Sequence, residues 1–180
     1  RVSHEIIRRW IDGAERAGGW SVLDIQPGQA ELDEEIDLIE ELLMEPNVHL
    51  AVDPEFIVSA EEVPGEDLGR ITGPQVNRVQ AQMERIGRAS GRRKMLVIHQ
   101  FDDRMIEQKD VILDYPFVEL VWDADGFGTP GSKISDYEQY RVEAGFEHGG
   151  FKLFYNYDDP LMTPEEVLGL EPSPALVIYQ

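Results

Sequence analysis

Two pairs of carboxylates share one spacing in this chain: Asp53 with Glu55, and Asp123 with Asp125. Each pair is spaced i, i+2 at the end of an apolar run, Val48-His49-Leu50-Ala51-Val52 and Phe117-Val118-Glu119-Leu120-Val121-Trp122. Residues two apart on a strand share a face, so each pair is expected to project together from a strand's C-terminal end. A carboxylic acid that protonates a leaving oxygen, with a second carboxylate as nucleophile or as base for water, is the machinery of glycosidic cleavage. Glu55 is the favoured proton donor, and Asp123 or Asp125 the second carboxylate. The competing role for Asp53 is to accept backbone N–H groups of the turn that Pro54 begins.

Further polar residues fall at equivalent places. His99 and Gln100 end the run Lys94-Met95-Leu96-Val97-Ile98, and Asp24 and Gln26 end Trp20-Ser21-Val22-Leu23. Lys152 interrupts the aromatic stretch Phe151 to Tyr155, and Tyr179 closes the chain's last apolar run. His99 belongs with the catalytic group; Asp24, Gln26, Gln100, Lys152, Tyr155 and Tyr179 are assigned to substrate binding. A buried ammonium needs a partner, so Lys152 is expected to pair with one of these acids; a Schiff-base role is the less economical alternative. Phe127, Phe154, Tyr155 and Tyr179 offer faces for stacking on sugar rings, against the simpler role of core packing. Asp24, Asp53, Glu55, His99 and Asp123 are also acceptable ligands for a divalent metal, but no H-x-H or H-E-x-x-H spacing supports that, and no metal or cofactor is expected. His49 and His148 carry no argument by position.

The elements that must hold these residues alternate. Helical periodicity at 3–17, with Ile6, Ile7, Trp10, Ile11 and Ala14 on one stripe, precedes a strand at 20–26. Helix 30–44 leads into strand 48–53. After an irregular stretch at 56–72 come a helix at about 74–89, a strand at 94–100, a helical segment from the cap Asp102 to about 113, and a strand at 117–125. A helix near 132–144, a strand at 150–155, a helix starting at Thr163-Pro164-Glu165-Glu166 and a strand at 175–180 complete the series. Six α-β repeats without a hairpin signal imply right-handed crossovers and a parallel sheet. No G-x-G-x-x-G or Walker loop follows any strand, which weakens the nucleotide-binding open sheet. Polarity gathered at strand C-termini is instead the layout of a (β/α)8 barrel rim. The expectation is an α/β chain forming one domain over 1–180, a TIM-type barrel with six parallel strands whose first two strands are missing or lie upstream.

Composition sets the boundaries. Of 180 residues, 42% are hydrophobic and 29% charged, the balance of a globular protein. Asp and Glu number 36 against 16 Lys and Arg, only four of them Lys, for a net charge of -20. Such a surface repels nucleic acid and anionic membranes, and no apolar run approaches the ~20 residues of a membrane span. The absence of Cys excludes disulfides, thiolate zinc sites and Cys nucleophiles.

Leu23-Asp-Ile-Gln-Pro-Gly28, Ala51-Val-Asp-Pro-Glu55, Val97-Ile-His-Gln-Phe101, Asp125-Gly-Phe-Gly128, Phe151-Lys-Leu-Phe-Tyr155 and Met162-Thr-Pro-Glu-Glu-Val167 resemble segments of a group of largely uncharacterised, often exported bacterial proteins. Its members are (β/α)8 barrels reminiscent of glycoside hydrolases. The resemblance covers nearly all of the chain and implies a barrel, an extracellular or cell-surface location and a carbohydrate or other small polar substrate, but no established reaction. The alternatives are a metal-dependent hydrolase or isomerase, and a non-catalytic surface barrel that binds glycan or protein. Exposed strand edges would also predict self-association.

Overall fold

The computed structural model describes residues 2–180. Six parallel strands, β1 (Ser21–Ile25), β2 (Val48–Val52), β4 (Lys94–Gln100), β6 (Val118–Ala124), β7 (His148–Leu153) and β8 (Leu176–Tyr179), lie side by side in chain order. Two short strands, β3 (Ile71–Thr72) and β5 (Ile106–Glu107), pair as a separate parallel ribbon. Five helices accompany them: α1 (His4–Arg16), α2 (Leu32–Leu43), α3 (Gly73–Ser90), α4 (Pro130–Tyr140) and α5 (Pro164–Leu168).

The six-stranded sheet curls into a half-barrel and stays open, so the expected (β/α)8 TIM-type barrel is not formed. Among the described residues, one of the six expected helices is not formed. After β4 the chain makes two single 3-10 turns, Asp103–Met105 and Lys109–Val111, with β5 between them. Asp102 does cap, accepting from Arg104 N–H, but the helix goes no further. Met105 and Ile106 are buried, Ile106 pairs with Ile71 across the ribbon, and Gln108 turns through a left-handed φ of 55°. Burial of those two residues and the pairing of Ile106 with β3 outweigh continuation of the helix beyond its cap.

The other elements follow local sequence. Thr72 and Gln75 form a capping box at the start of α3, and Gly91 ends it in the left-handed conformation. Thr163 and Glu166 repeat the box at α5. The outer face of the sheet carries Val48, Leu50, Val52, Leu96, Ile98, Leu120 and Trp122 against α2 and α3. From α3, Val76, Val79, Met83 and Ile86 are buried there, each contributing about 1.5–3 kcal/mol. A smaller core joins Tyr137 of α4 and Val167 of α5 to Phe151 and Leu153.

The inner, concave face is built from the alternate residues. Pairing registers place Asp24 beside Ala51, Ala51 beside Val97, His99 beside Asp123, and Asp123 beside Gly150. Small residues line its middle, with Ala51, Val97 and Val121 in contact. Strand C-termini place one polar cluster at one mouth of the half-barrel, and strand N-termini place another at the opposite mouth. No described helix is long and apolar enough to cross a membrane.

Candidate functional site

His99 organises the C-terminal mouth. Its side chain is 3% exposed, and both ring nitrogens meet carboxylates. Nδ1 lies 2.8 Å from Asp123 Oδ2 and 3.4 Å from Asp125 Oδ2, and Nε2 lies 3.2 Å from Asp24 Oδ2. Burial acts to lower the imidazole pKa, but the hydrogen bonds and charges of Asp123 and Asp24 outweigh it and push the value up to about 10. The ring is therefore an imidazolium that donates to a carboxylate at each end.

Asp123 is fully buried. A Cβ on Gly150 would lie 2.8 Å from its Oδ1, so the glycine leaves the room that the carboxylate occupies. Asp125 is clamped between His99 and Lys152, whose Nζ stands 2.9 Å away. Burial raises the Asp125 carboxyl to about 6; Asp123 adds to the rise, while His99 and Lys152 oppose it.

Gln26 Nε2 donates to Asp53 Oδ2 at 3.3 Å, and Asp53 Oδ1 accepts from Glu55 N–H. Asp53 thus caps the 3-10 turn Pro54–Phe56, the structural role that Pro54 suggested. Burial, reinforced by Asp24 and opposed by His99, raises its carboxyl pKa. Glu55 belongs to that turn, so strand alternation does not place it. It is brought into the cluster electrostatically: burial and Asp53 raise its pKa, and Lys152 opposes the rise. No described residue makes a hydrogen bond or ion pair with the Glu55 side chain.

The structure therefore gathers Asp24, Gln26, Asp53, Glu55, His99, Asp123, Asp125 and Lys152 at one mouth, but divides the carboxylates by reach. Asp123 is sealed, Asp125 is clamped at 9% side-chain exposure, and Asp24 is 46% exposed. Lys152 pairs with Asp125 rather than Asp24. Gln100 lies elsewhere. One residue past His99, it faces the opposite side of β4, where Lys109 Nζ donates to its Oε1 at 2.8 Å. Its strand-end position is the same, but alternation turns it toward the helices.

The aromatic residues form two groups. Tyr155 stacks on Tyr179, with centroids 5.6 Å apart, and both are exposed. Phe127 and Phe154 join Tyr157 in a second cluster, with Lys133 and Lys152 over the Phe154 ring. Tyr157 was missed by sequence reasoning because it follows the strand in an irregular turn. Lys133 was missed too; its buried ammonium sits 3.3 Å from Asp158 and braces the loop after β6 by donating to Gly126 O.

No protein-family model matches this chain, and no curated protein matches it significantly. The expected hydrolase activity, export and bacterial origin gain no support from these comparisons.

Proposed function

We propose that the C-terminal mouth cleaves a carbohydrate or similarly polar substrate by acid–base catalysis, with Glu55 as proton donor and Asp24 as the second carboxylate. One observation carries this reading: Glu55 has a raised pKa and no side-chain partner among the described residues, while Asp24 is held by His99 yet 46% exposed. The Glu55 carboxyl protonates the leaving oxygen, and Asp24 acts on the anomeric carbon directly or through water. Asp123 touches no substrate in this scheme. It fixes the imidazolium, which in turn orients Asp24. Lys152 and His99 offset part of the charge of five clustered acids, and the exposed Tyr155–Tyr179 pair offers an outer ring face for a sugar.

The test is turnover by the full chain on aryl glycosides and on cell-wall and capsular polysaccharides. Glu55→Gln is expected to lower kcat at least ~100-fold on unactivated linkages. The loss should be much smaller on nitrophenyl glycosides, whose leaving group needs no protonation. Absence of turnover on every substrate, or equal loss with both leaving groups, overturns the assignment.

One observation favours a second reading. His99, Asp123 and Asp125 offer a nitrogen and two oxygens within 4.8 Å of one another, and Asp123 Oδ1 is buried without a hydrogen-bond partner. A divalent ion held there would displace the imidazole proton and activate water. Turnover abolished by chelator and restored by Mn²⁺ or Zn²⁺ would select this chemistry over the first.

A further inference from the structure

Glu119, Glu147 and His148 meet at the opposite mouth of the half-barrel, at the strand N-termini. Glu119 lies near the start of β6, His148 begins β7, and the pairing of these strands sets Val121 beside His148. His148 Nε2 lies 2.9 Å from Glu119 Oε2 and 3.4 Å from Glu147 Oε1, and all three atoms fall within 4.8 Å of one another. Around a first-row metal at ~2.0–2.2 Å, neighbouring ligand atoms stand ~2.8–3.6 Å apart in octahedral or tetrahedral geometry. Both contacts with the imidazole already have that spacing.

The other oxygen of each carboxylate is held from outside the group. Arg93 engages Glu119 Oε1, and Leu120 N–H donates to Glu147 Oε2 at 3.2 Å. Each carboxylate therefore keeps its remaining oxygen beside the imidazole, the arrangement by which outer hydrogen bonds orient metal ligands.

These donors are reachable. The Glu119, Glu147 and His148 side chains are 32%, 30% and 39% exposed, whereas those of His99 and Asp123 at the C-terminal mouth are 3% and 0% exposed. Glu119 and His148 also line a cavity of about 660 Å³, which leaves space beside an ion for water or a small ligand. The local charge admits a cation. Arg93 is 64% exposed, so solvent and salt screen it, and the negative charge of Asp114 acts on both Glu147 and Arg93. Exposed ion pairs add little stability, so stability alone gives no strong reason for the three groups to converge.

We propose that Glu119 Oε2, Glu147 Oε1 and His148 Nε2 bind a divalent transition-metal ion of the zinc type, the imidazole proton leaving to solvent as the ion enters. One nitrogen and two oxygens suit Zn²⁺, Co²⁺ or Ni²⁺ rather than Mg²⁺ or Ca²⁺, which take oxygen ligands. Three protein ligands leave coordination positions open. The site is independent of the C-terminal mouth and of the chemistry proposed there.

Calorimetric titration of the untagged full chain with Zn²⁺, with and without a large excess of Mg²⁺, tests it alongside ¹⁵N imidazole spectra. Zn²⁺ is expected to bind saturably and to shift the His148 resonances, and Mg²⁺ should not displace it. His148→Ala and Glu147→Gln should each weaken Zn²⁺ binding at least about tenfold, with the metal-free thermal midpoint held because both side chains are part-exposed. Absence of saturable binding, displacement by Mg²⁺, a Zn²⁺ shift at His99 instead of His148, or unchanged affinity in both variants overturns the proposal. If either variant does not fold, the wild-type ¹⁵N measurement remains decisive.

Discussion

Replacing Asp123 by Asn probes the buried charge network most directly. The amide keeps the shape of the carboxylate and still accepts a hydrogen bond from His99 Nδ1–H across the 2.8 Å contact, but it removes the negative charge. A His99 pKa of about 10, against an unfolded value near 6.5, corresponds to at most about 5 kcal/mol of stabilisation. The sign follows from a raised pKa: the contribution is complete below pH ~6.5 and is lost as pH rises through about 10. Asp24, Asp123 and Asp125 meet the ring nitrogens, Asp53 acts on the ring through its charge, and Asp123 supplies the largest opposing effect against burial. Breaking one partner of a buried ion pair costs about 3–5 kcal/mol; with the hydrogen bond kept, about 3 kcal/mol is expected at pH 6. For a chain of this size that lowers the thermal midpoint by roughly 6–12 °C. The penalty should shrink markedly by pH 10, where the wild-type imidazole has itself begun to lose its proton. Urea unfolding at both pH values, with ¹⁵N titration of His99, measures both parts. A penalty that is the same at pH 6 and pH 10, or a wild-type His99 titrating near 6.5, would refute the imidazolium network.

Lys152→Met should move the Asp125 carboxyl further above about 6, because Lys152 opposes the rise caused by burial; Glu55 should rise with it, and ¹³C carboxyl titrations read both. Gly150→Ala should cost about 2 kcal/mol by overpacking, since the new Cβ would meet Asp123 Oδ1 at 2.8 Å and Asp123 Cα at 3.0 Å. Gly131→Ala, with nothing within 4 Å of its Cβ, should instead stabilise α4 by up to ~1 kcal/mol, both changes being measured by thermal unfolding. Lys94→Met should raise the His49 pKa from about 4, yet leave it below 6.5, because burial is the larger cause of the depression; ¹⁵N imidazole titration decides this.

Much of the architecture was legible because its signals are local. Apolar runs of strand length marked all six strands of the sheet, and Thr163 with Pro164 marked the start of α5. The segment after Asp102 misled because a capping residue marks where a helix can start and not how far it runs, whereas Met105 and Ile106 are buried and Ile106 pairs with β3. Strand-end position brought Asp24, His99, Asp123, Asp125 and Lys152 to one mouth, yet the same rule misplaced Gln100, whose neighbour His99 already occupied the inner face.

The chain's acidity, its lack of thiol chemistry and its alternation of helices with apolar strands follow from composition and periodicity alone. Tertiary structure decided whether the sheet closes, since closure depends on strand number and curl rather than on any local pattern. It also decided which acids are reachable. Asp123 and Asp24 look alike as sequence, but Gly150 and His99 enclose one carboxylate while the edge position of β1 leaves the other open. The convergence of Glu119, Glu147 and His148 was likewise invisible, because only the pairing of β6 with β7 sets Val121 beside His148 and brings Glu119 within reach of the imidazole.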